Sequence, residues 1–516
     1  MVRNSVSRIS LLVTLLFFIA RVAQSQWLNV RVSQDSLSRY SPEEVCIAVN
    51  PVDPLNLAIG ANSDWIFSSS DGGQSWVTQR LNSQYGGGGD PSLVFDGDGN
   101  LYYVTLGGRH LGIDRSTDGG LTFDTGAIVG NDTSQQDKPW LAINRNLEFG
   151  NQTVAAGWTR FAQYGSRDVI DSTHILSSVS TDQGVTWTNP ARVDDIGGDC
   201  IDSSNTTEGA VPAFGLHNEL YMTWSARDTI FFDRSLDGGS TFGQDRPIAV
   251  QPGGWWLNVP KIVRTNGLPS MVCDQSSGTY SGRIYVLWSD ARRGVVDCYI
   301  VHSTDNGDSW SDPVRIDTDE QMDHHFFPSL AVDPITGHIF VAYYQMHLQD
   351  KDSVDVYLAR STNGGESFED MKISQSAFSP GNGVFLGDYI SVAAYNKHVF
   401  PTWTRTKSGI SSIWTAIVID SDRSSGVYSS IPPGGIPSLS ASSNSDFICS
   451  LSAASHIKIE LIDELGRNRA KLSEGYYETG EYRFKLPENI SHCLYFLRMT
   501  AQNQSSFNIV TLKILK

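Results

Sequence analysis

Six times along the chain the same short pattern returns: Ser-x-Asp/Asn-x-Gly-x-Ser/Thr, closed by Trp or Phe. The copies are SSSDGGQSW (68–76), RSTDGGLTF (115–123), VSTDQGVTW (179–187), RSLDGGSTF (234–242), HSTDNGDSW (302–310) and RSTNGGESF (360–368). Five carry the acid (Asp71, Asp118, Asp182, Asp237, Asp305) and the sixth has Asn363. Successive copies lie 47 to 68 residues apart, the length of a four-stranded propeller blade with its loops. A unit of that size cannot bury its apolar face alone, so the repeats must pack against one another.

The sequence between copies repeats as well. Each motif follows a short apolar run, a turn and an aromatic-rich run, as in PSLVFDGDGNLYYVTLG and PSLAVDPITGHIFVAYY. These read as strands a and b, with the motif ending strand c and a further strand d beyond it. A seventh pair, YISVAAYNKHVFPTWTR, precedes SSIWTAIVID but has no motif, and LNVRVSQ at 28–34 can supply its missing outer strand. Closing a ring in that way removes exposed sheet edges. The expectation is an all-β chain: a β-propeller of seven blades, six being the alternative, followed by a small β-sandwich.

The ends are different. Arg3 and Arg8, the apolar stretch 9–20 and Ala23-Gln24-Ser25 form a signal-peptide pattern over residues 1–25, with cleavage after Ser25. That stretch is too short to span a bilayer, and the mature chain offers no longer one. Export to the outside of the cell, or to its surface, follows. Residues 26–424 hold the repeats, 425–447 are rich in Pro, Gly and Ser and read as a linker, and 448–516 alternate as strands. All six cysteines lie in the mature part and their pairing is open; Cys449 and Cys493 share the last unit and are the first pair to test. A formal net charge of −18 lacks the basic footprint that nucleic acid requires.

The six motifs resemble the Asp-boxes, or bacterial neuraminidase repeats, of the sialidase superfamily of β-propellers. Residues 448–516 resemble the C-terminal sorting domain of the type IX secretion system, through Ile462-Asp463, Gly466-Arg467, Gly475, Gly480, Tyr495-Phe496-Leu497-Arg498 and the terminal Lys516. The second resemblance implies the secretion machinery as a partner; the other reading of this unit is an adhesion module.

Propeller topology separates the two ends of the ring. Loops leading into strand a open on the same face as the b–c loops, while the motif turns lie on the opposite face. The first set offers Glu43, Glu44, Asp90, Asp137, Glu208, Asp323-His324-His325 and Asp388-Tyr389; the b–c loops offer Asp64, Arg109, Arg160, Arg227, Asp290, Arg292, Arg293 and Arg405. The structural expectation is that each acid pairs with an arginine of a neighbouring blade. The functional one follows the sialidase resemblance, which implies an exo-α-sialidase-type glycosidase. Three arginines would grip a substrate carboxylate, a Tyr activated by Glu would replace the usual carboxylate nucleophile, and an Asp would move protons. Gly387-Asp388-Tyr389-Ile390-Ser391 resembles the nucleophile stretch, giving Tyr389; Glu208 matches the activating Glu and Asp64 the acid/base. Arg39, Arg227 and Arg293 match the arginines, although Ser38-Arg39-Tyr40-Ser41-Pro42 stands where the family has Arg-Ile-Pro.

The alternative is a non-catalytic propeller binding glycans, glycoproteins or other proteins, with Trp and Tyr as stacking platforms. No cofactor is implied. Asp96-Gly97-Asp98-Gly99-Asn100 imitates a calcium loop but reads better as a hairpin turn. Asp323-His324-His325 has metal-ligand residue types without a third partner that the sequence identifies, so no metal is assigned.

Overall fold

A computed structural model of the chain describes residues 27–33, 42–85, 87–124, 126–130, 133–144, 153–350, 353–381 and 385–420, together with the strands of the C-terminal part between 438 and 515. Every named element among the described residues is a β-strand. Seven four-stranded antiparallel sheets form the blades of a propeller. Their inner strands are Cys46–Val49, Ser92–Phe95, Gln135–Ile143, Glu208–Phe214, Ser270–Cys273, His324–Val332 and Ser391–Tyr395. In blades one to six the strands pair in chain order, a-b-c-d.

Blade seven is closed by the N-terminus. Leu28–Arg31 pairs antiparallel with Ile410–Ile419, Leu28 opposite Ile417 and Arg31 opposite Trp414. Asn29 extends the clasp to blade six: its Nδ2 donates to the Ile373 carbonyl at 3.0 Å and its Oδ1 accepts from Gln375 N at 2.9 Å. Seven blades is the count, and the strand expected at 28–34 fills the missing place.

The blades adhere through large rings on strand b. Trp158, Trp224, Trp288 and Tyr343 each stand fifth in their strand and Trp403 sixth, and all five are at most 1 % exposed. Truncating any one of them to Ala would cost about 3–5 kcal/mol. The motif aromatics add a second seal, since Trp76, Phe123, Trp187, Phe242, Trp310 and Phe368 all pack into the clusters between sheets.

The motif itself is a self-contained turn between strands c and d. In all six copies the Ser hydroxyl donates to Oδ1 of the Asp or Asn at 2.7–2.8 Å. It also accepts the N–H of the Gly four residues on, at 2.8–3.0 Å. That Gly has positive φ in every copy, which a side chain would resist. The second carboxylate oxygen takes the Ser/Thr hydroxyl at 2.5–2.7 Å in the five Asp copies, and Asn363 Nδ2 instead donates to Ser367 at 2.8 Å. With its oxygens engaged inside its own turn, the acid serves the architecture.

Beyond the ring, Ser438–Ala441, Asp446–Leu451 and Gly480–Lys485 form one sheet, and Asn468–Tyr477, Ser455–Asp463, Leu494–Gln502 and Phe507–Leu515 a second. Ile457, Ile459 and Leu461 are fully buried in alternation, as a strand with one core face requires. Cys46, Cys200, Cys273 and Cys298 are buried free thiols, while Cys493 lies outside the described residues.

Candidate functional site

The inner strands line the channel with apolar triplets, from Ile47-Ala48-Val49 in blade one round to Ala393-Ala394-Tyr395 in blade seven. Three residues before the first of each triplet, five blades turn the backbone left-handed: Glu44 (φ 55°), Asp90 (49°), Lys138 (46°), Gly209 (82°) and Phe327 (51°). In blades three, four and six the turn is a β-bulge, seen as a register shift at Asp137/Trp140, Glu208/Val211 and Phe326/Ser329. Left-handed conformations are costly for residues with a Cβ, and three successive blades place charged residues there.

Those three side chains meet at the channel mouth. Lys138 Nζ lies 2.5 Å from Asp388 Oδ2 and 4.0 Å from Asp90 Oδ2. Arg264 grips the same Asp388, with Nε 2.7 Å from Oδ1 and Nη2 against Oδ2. Asn62 links two of the acids, donating from Nδ2 to Glu44 Oε2 at 2.5 Å and accepting Asp90 N–H at 2.7 Å. Asp388 N–H donates to Glu44 Oε1 at 3.2 Å. Glu208 Oε2 accepts the Trp255 indole N–H at 2.5 Å.

Burial with too few cations sorts the protons. Desolvation, with the Asp90 charge behind it, pushes the Glu44 carboxyl well above its usual range, and burial does the same to Asp137. Glu208 is pushed up to about 8, chiefly by burial. Asp90 goes the other way: burial opposes its charge, but Lys138 and hydrogen bonds from Glu44 and Asp137 hold it ionised below the usual range. Lys138 stays charged because Asp388, Asp90, Asp137 and Glu44 outweigh its own desolvation. Neutral and ionised carboxyls thus stand side by side.

Above this cluster opens a cavity of about 320 Å³ lined by Glu44, Asp90, Gln135, Gln136, Asp137, Lys138, Phe161, Tyr164, Arg264 and Phe385. Phe161 and Tyr164 meet edge to face at 5.1 Å, and the Arg264 guanidinium lies 4.9 Å over the Phe385 ring. Tyr164 is 45 % exposed, its hydroxyl on Asp202 at 2.5 Å.

The residues matched to the sialidase mechanism are dispersed. Tyr389 lies beneath the mouth, its ring 5.1 Å from Trp140 and its hydroxyl 3.5 Å from the Pro91 carbonyl. Burial, then Asp90 and Glu44, push that phenol well above its ordinary value, the wrong direction for a nucleophile. Glu208 is at the mouth. Asp64 sits in the blade-one b–c loop against Thr105 Oγ1 at 3.5 Å. Arg227 donates to the Ile196 carbonyl at 3.3 Å and covers Phe231; Arg293 pairs with Asp297 at 3.2 Å. Among the described residues neither arginine joins Tyr389, and Arg39 lies outside them.

Two further b–c arginines make contacts that are local or to neutral groups. Arg292 closes on Asp290 of its own loop at 2.6 Å, and Arg405 reaches Ser376 Oγ and the Ala377 carbonyl. Lys138 and Arg264, which sequence reasoning passed over, make long-range connections at the channel mouth, both to Asp388. One signal for Lys138 was present: PSL follows Asp90 directly, whereas a Lys intervenes between Asp137 and PWL. The Asp96 loop is a hairpin turn, its carboxylate taking the N–H groups of Asp98 and Asn100 at 2.9 and 2.8 Å. Asp323 and His325 diverge, Asp323 holding Gln345 and His347 while His325 turns toward Asp297.

The chain is a seven-bladed β-propeller with a charged, aromatic-rimmed channel mouth. No family model matches it, and no curated protein does. Solved structures similar to it include YCF48 bound to a D1 peptide, at 13% identity and TM-score 0.42, covering 78% of this chain and 100% of that one. A Penicillium chrysogenum α-L-arabinanase complexed with arabinobiose gives 15% and 0.41, covering 64% and 98%. The Hadza microbial sialidase Hz136 gives 15% and 0.41, covering 70% and 73%. Likeness this distant carries no argument about activity.

Proposed function

We propose that the protein is a glycan-directed propeller whose channel mouth holds one neutral sugar residue. What carries this reading is the convergence of Glu44, Asp90 and Lys138, each in a left-handed conformation, beneath the wall of Phe161, Tyr164 and Phe385. Backbone strain of that kind collects at functional sites. The cavity is of ligand size, its rings offer an apolar face to a pyranose, and Gln135, Asp137 and Arg264 offer donors and acceptors to hydroxyls.

Charge selects against acidic sugars. Glu44, Asp90, Asp137 and Asp388 surround Lys138 and Arg264, and both cations are already committed to Asp388. Arg264, the guanidinium lining the cavity among the described residues, is thus already engaged by Asp388 when a sialic acid carboxylate arrives, which makes the sialidase-type mechanism the weaker reading. The adjacent pair Asp90 and Asp137 does not suit ordinary two-carboxylate hydrolysis either, which needs carboxyls about 5 Å or more apart, because these two are hydrogen-bonded. Binding without turnover is the reading we adopt. The signal-like residues 1–25 and the C-terminal sheets support export, with surface attachment through the last unit.

The reading is tested by incubating the purified protein with panels of neutral and sialylated oligosaccharides and following both retention and release of product. Retention of neutral glycans without cleavage is expected. Release of sialic acid by the wild type, lost in Tyr389→Phe, would restore the sialidase reading.

A further inference from the structure

On the same face but away from the channel mouth, blade five meets blade six around a buried histidine. Asp297 opens strand c of blade five (Asp297–Ser303), Asp317 follows its strand d (Val314–Arg315), and His325 is the second residue of the blade-six inner strand. His325 Nδ1 is 3.1 Å from Asp297 Oδ1 and 3.5 Å from Asp317 Oδ2, and all three side chains are 0 % exposed. His325 Nε2 points the other way, 3.4 Å from Asp319 Oδ2.

The outer oxygens face other groups, while Asp297 Oδ1 and Asp317 Oδ2 both face His325 Nδ1. Asp297 Oδ2 takes the Arg293 guanidinium at 3.2 Å and the Tyr299 hydroxyl at 3.4 Å, and Asp317 Oδ1 faces Arg315 Nη1 at 3.2 Å. Yet neither oxygen of Asp317 accepts a hydrogen bond, although the residue is only 3 % exposed. Buried carboxylate oxygens are seldom left so.

We propose that His325 Nδ1, Asp297 Oδ1 and Asp317 Oδ2 hold a divalent first-row cation of the zinc type that clips blade five to blade six. Ligands about 2.0–2.2 Å from a tetrahedral Zn²⁺ stand about 3.3–3.6 Å from one another; His325 Nδ1 lies 3.1 and 3.5 Å from the two carboxylate oxygens, and the three donor atoms all fall within 4.8 Å of one another. The supporting shell is also in place: Asp319 can take the Nε2 proton and so present Nδ1 to the metal, while Arg293 and Arg315 brace the outer oxygens. An imidazole beside only two carboxylates suits zinc or manganese better than calcium, which takes six to eight oxygens. Enclosure among buried side chains makes this a structural clip, and water can complete the coordination.

The full chain is purified without chelator, its metal content measured, and its melting followed after stripping and on adding Zn²⁺ or Mn²⁺ alone. About one equivalent per chain, and a midpoint rise of about 3 °C or more at saturating metal, are expected. His325→Gln and Asp317→Asn should abolish both responses, whereas Glu208→Gln should keep them. Should those variants fail to fold, Co²⁺ added to the stripped wild type gives a second reading through the visible absorption of a tetrahedral N/O site. No retained metal with no melting response would overturn the proposal and leave an imidazolium held by three carboxylates. Metal retained in His325→Gln, or no Co²⁺ band, would overturn it equally.

Discussion

Lys138 Nζ lies 2.5 Å from Asp388 Oδ2, and 250 residues of chain separate the two. The contact joins blade three to the loop leading into blade seven, and Arg264 joins the same carboxylate from the loop before blade five. Lys138 and Asp388 are 4 % and 0 % exposed at the side chain, so each needs the other in place of water. Removing one partner from a buried pair costs about 3–5 kcal/mol. Lys138→Met should therefore lower unfolding stability by that order in urea titration. In a double-mutant cycle with Asp388→Asn, the two losses should fall short of additive by about 1–3 kcal/mol; strict additivity would contradict the pairing.

The motif turns lie on the opposite face. Asp118→Ala removes the acceptor of Ser116, Leu121 and Thr122 within one turn. A loss on the order of 1 kcal/mol is expected, with glycan retention unchanged. Unchanged melting with lost retention would reverse the assignment of the two faces.

Ring closure rests on a short strand. A chain starting after residue 33 leaves Ile410–Ile419 as an open edge and removes the Asn29 contacts to blade six. Such a chain should unfold less cooperatively and associate through the exposed edge, visible by calorimetry and light scattering. Monomeric behaviour with an unshifted midpoint would show that the clasp is dispensable.

Buried carboxyls should give the fold a mildly acid optimum. Burial foremost raises Glu208 to about 8, Glu43 to about 7, and Asp114 and Asp233 to about 6, against about 4 in an unfolded chain. Between those limits the folded state binds more protons, so stability is fullest below about pH 4 and declines as pH rises through the folded values. Acid loss comes separately: Asp237, held at about 2 by the Ser235 and Thr241 hydroxyls, and Asp305, held there by Ser309, lose their contribution only as pH falls from about 4 toward 2. The melting midpoint should peak near pH 4–5 and fall by pH 8, and Glu208→Gln should flatten part of that fall. A midpoint that rises from pH 5 to 8 would contradict the proton assignment.

The architecture was legible because it repeats. Six spaced turns set the blade count within one, and the likeness of LNVRVSQ to an outer strand located the closure. The face bearing Glu44, Asp90, Asp137 and Glu208 followed from topology alone. What could not be read was which cation serves those acids, since an isolated Lys138 looks like any surface lysine until the bulge turns it inward. Arg264 has no counterpart in the repeat, and Asp388 is far from both in sequence. His325 was visible as a ligand type, but Asp297 and Asp317 come from another blade and only folding brings them to it.

The channel-mouth assignment is tested most directly by calorimetric titration of neutral and sialylated forms of one oligosaccharide into wild type and Tyr164→Ala. Tyr164 is exposed enough that its loss should leave the fold intact. The account predicts that the neutral glycan binds, that the sialylated form binds more weakly, and that Tyr164→Ala weakens binding by about threefold to tenfold. Preference for the sialylated form, or binding unaffected by Tyr164→Ala, would contradict it.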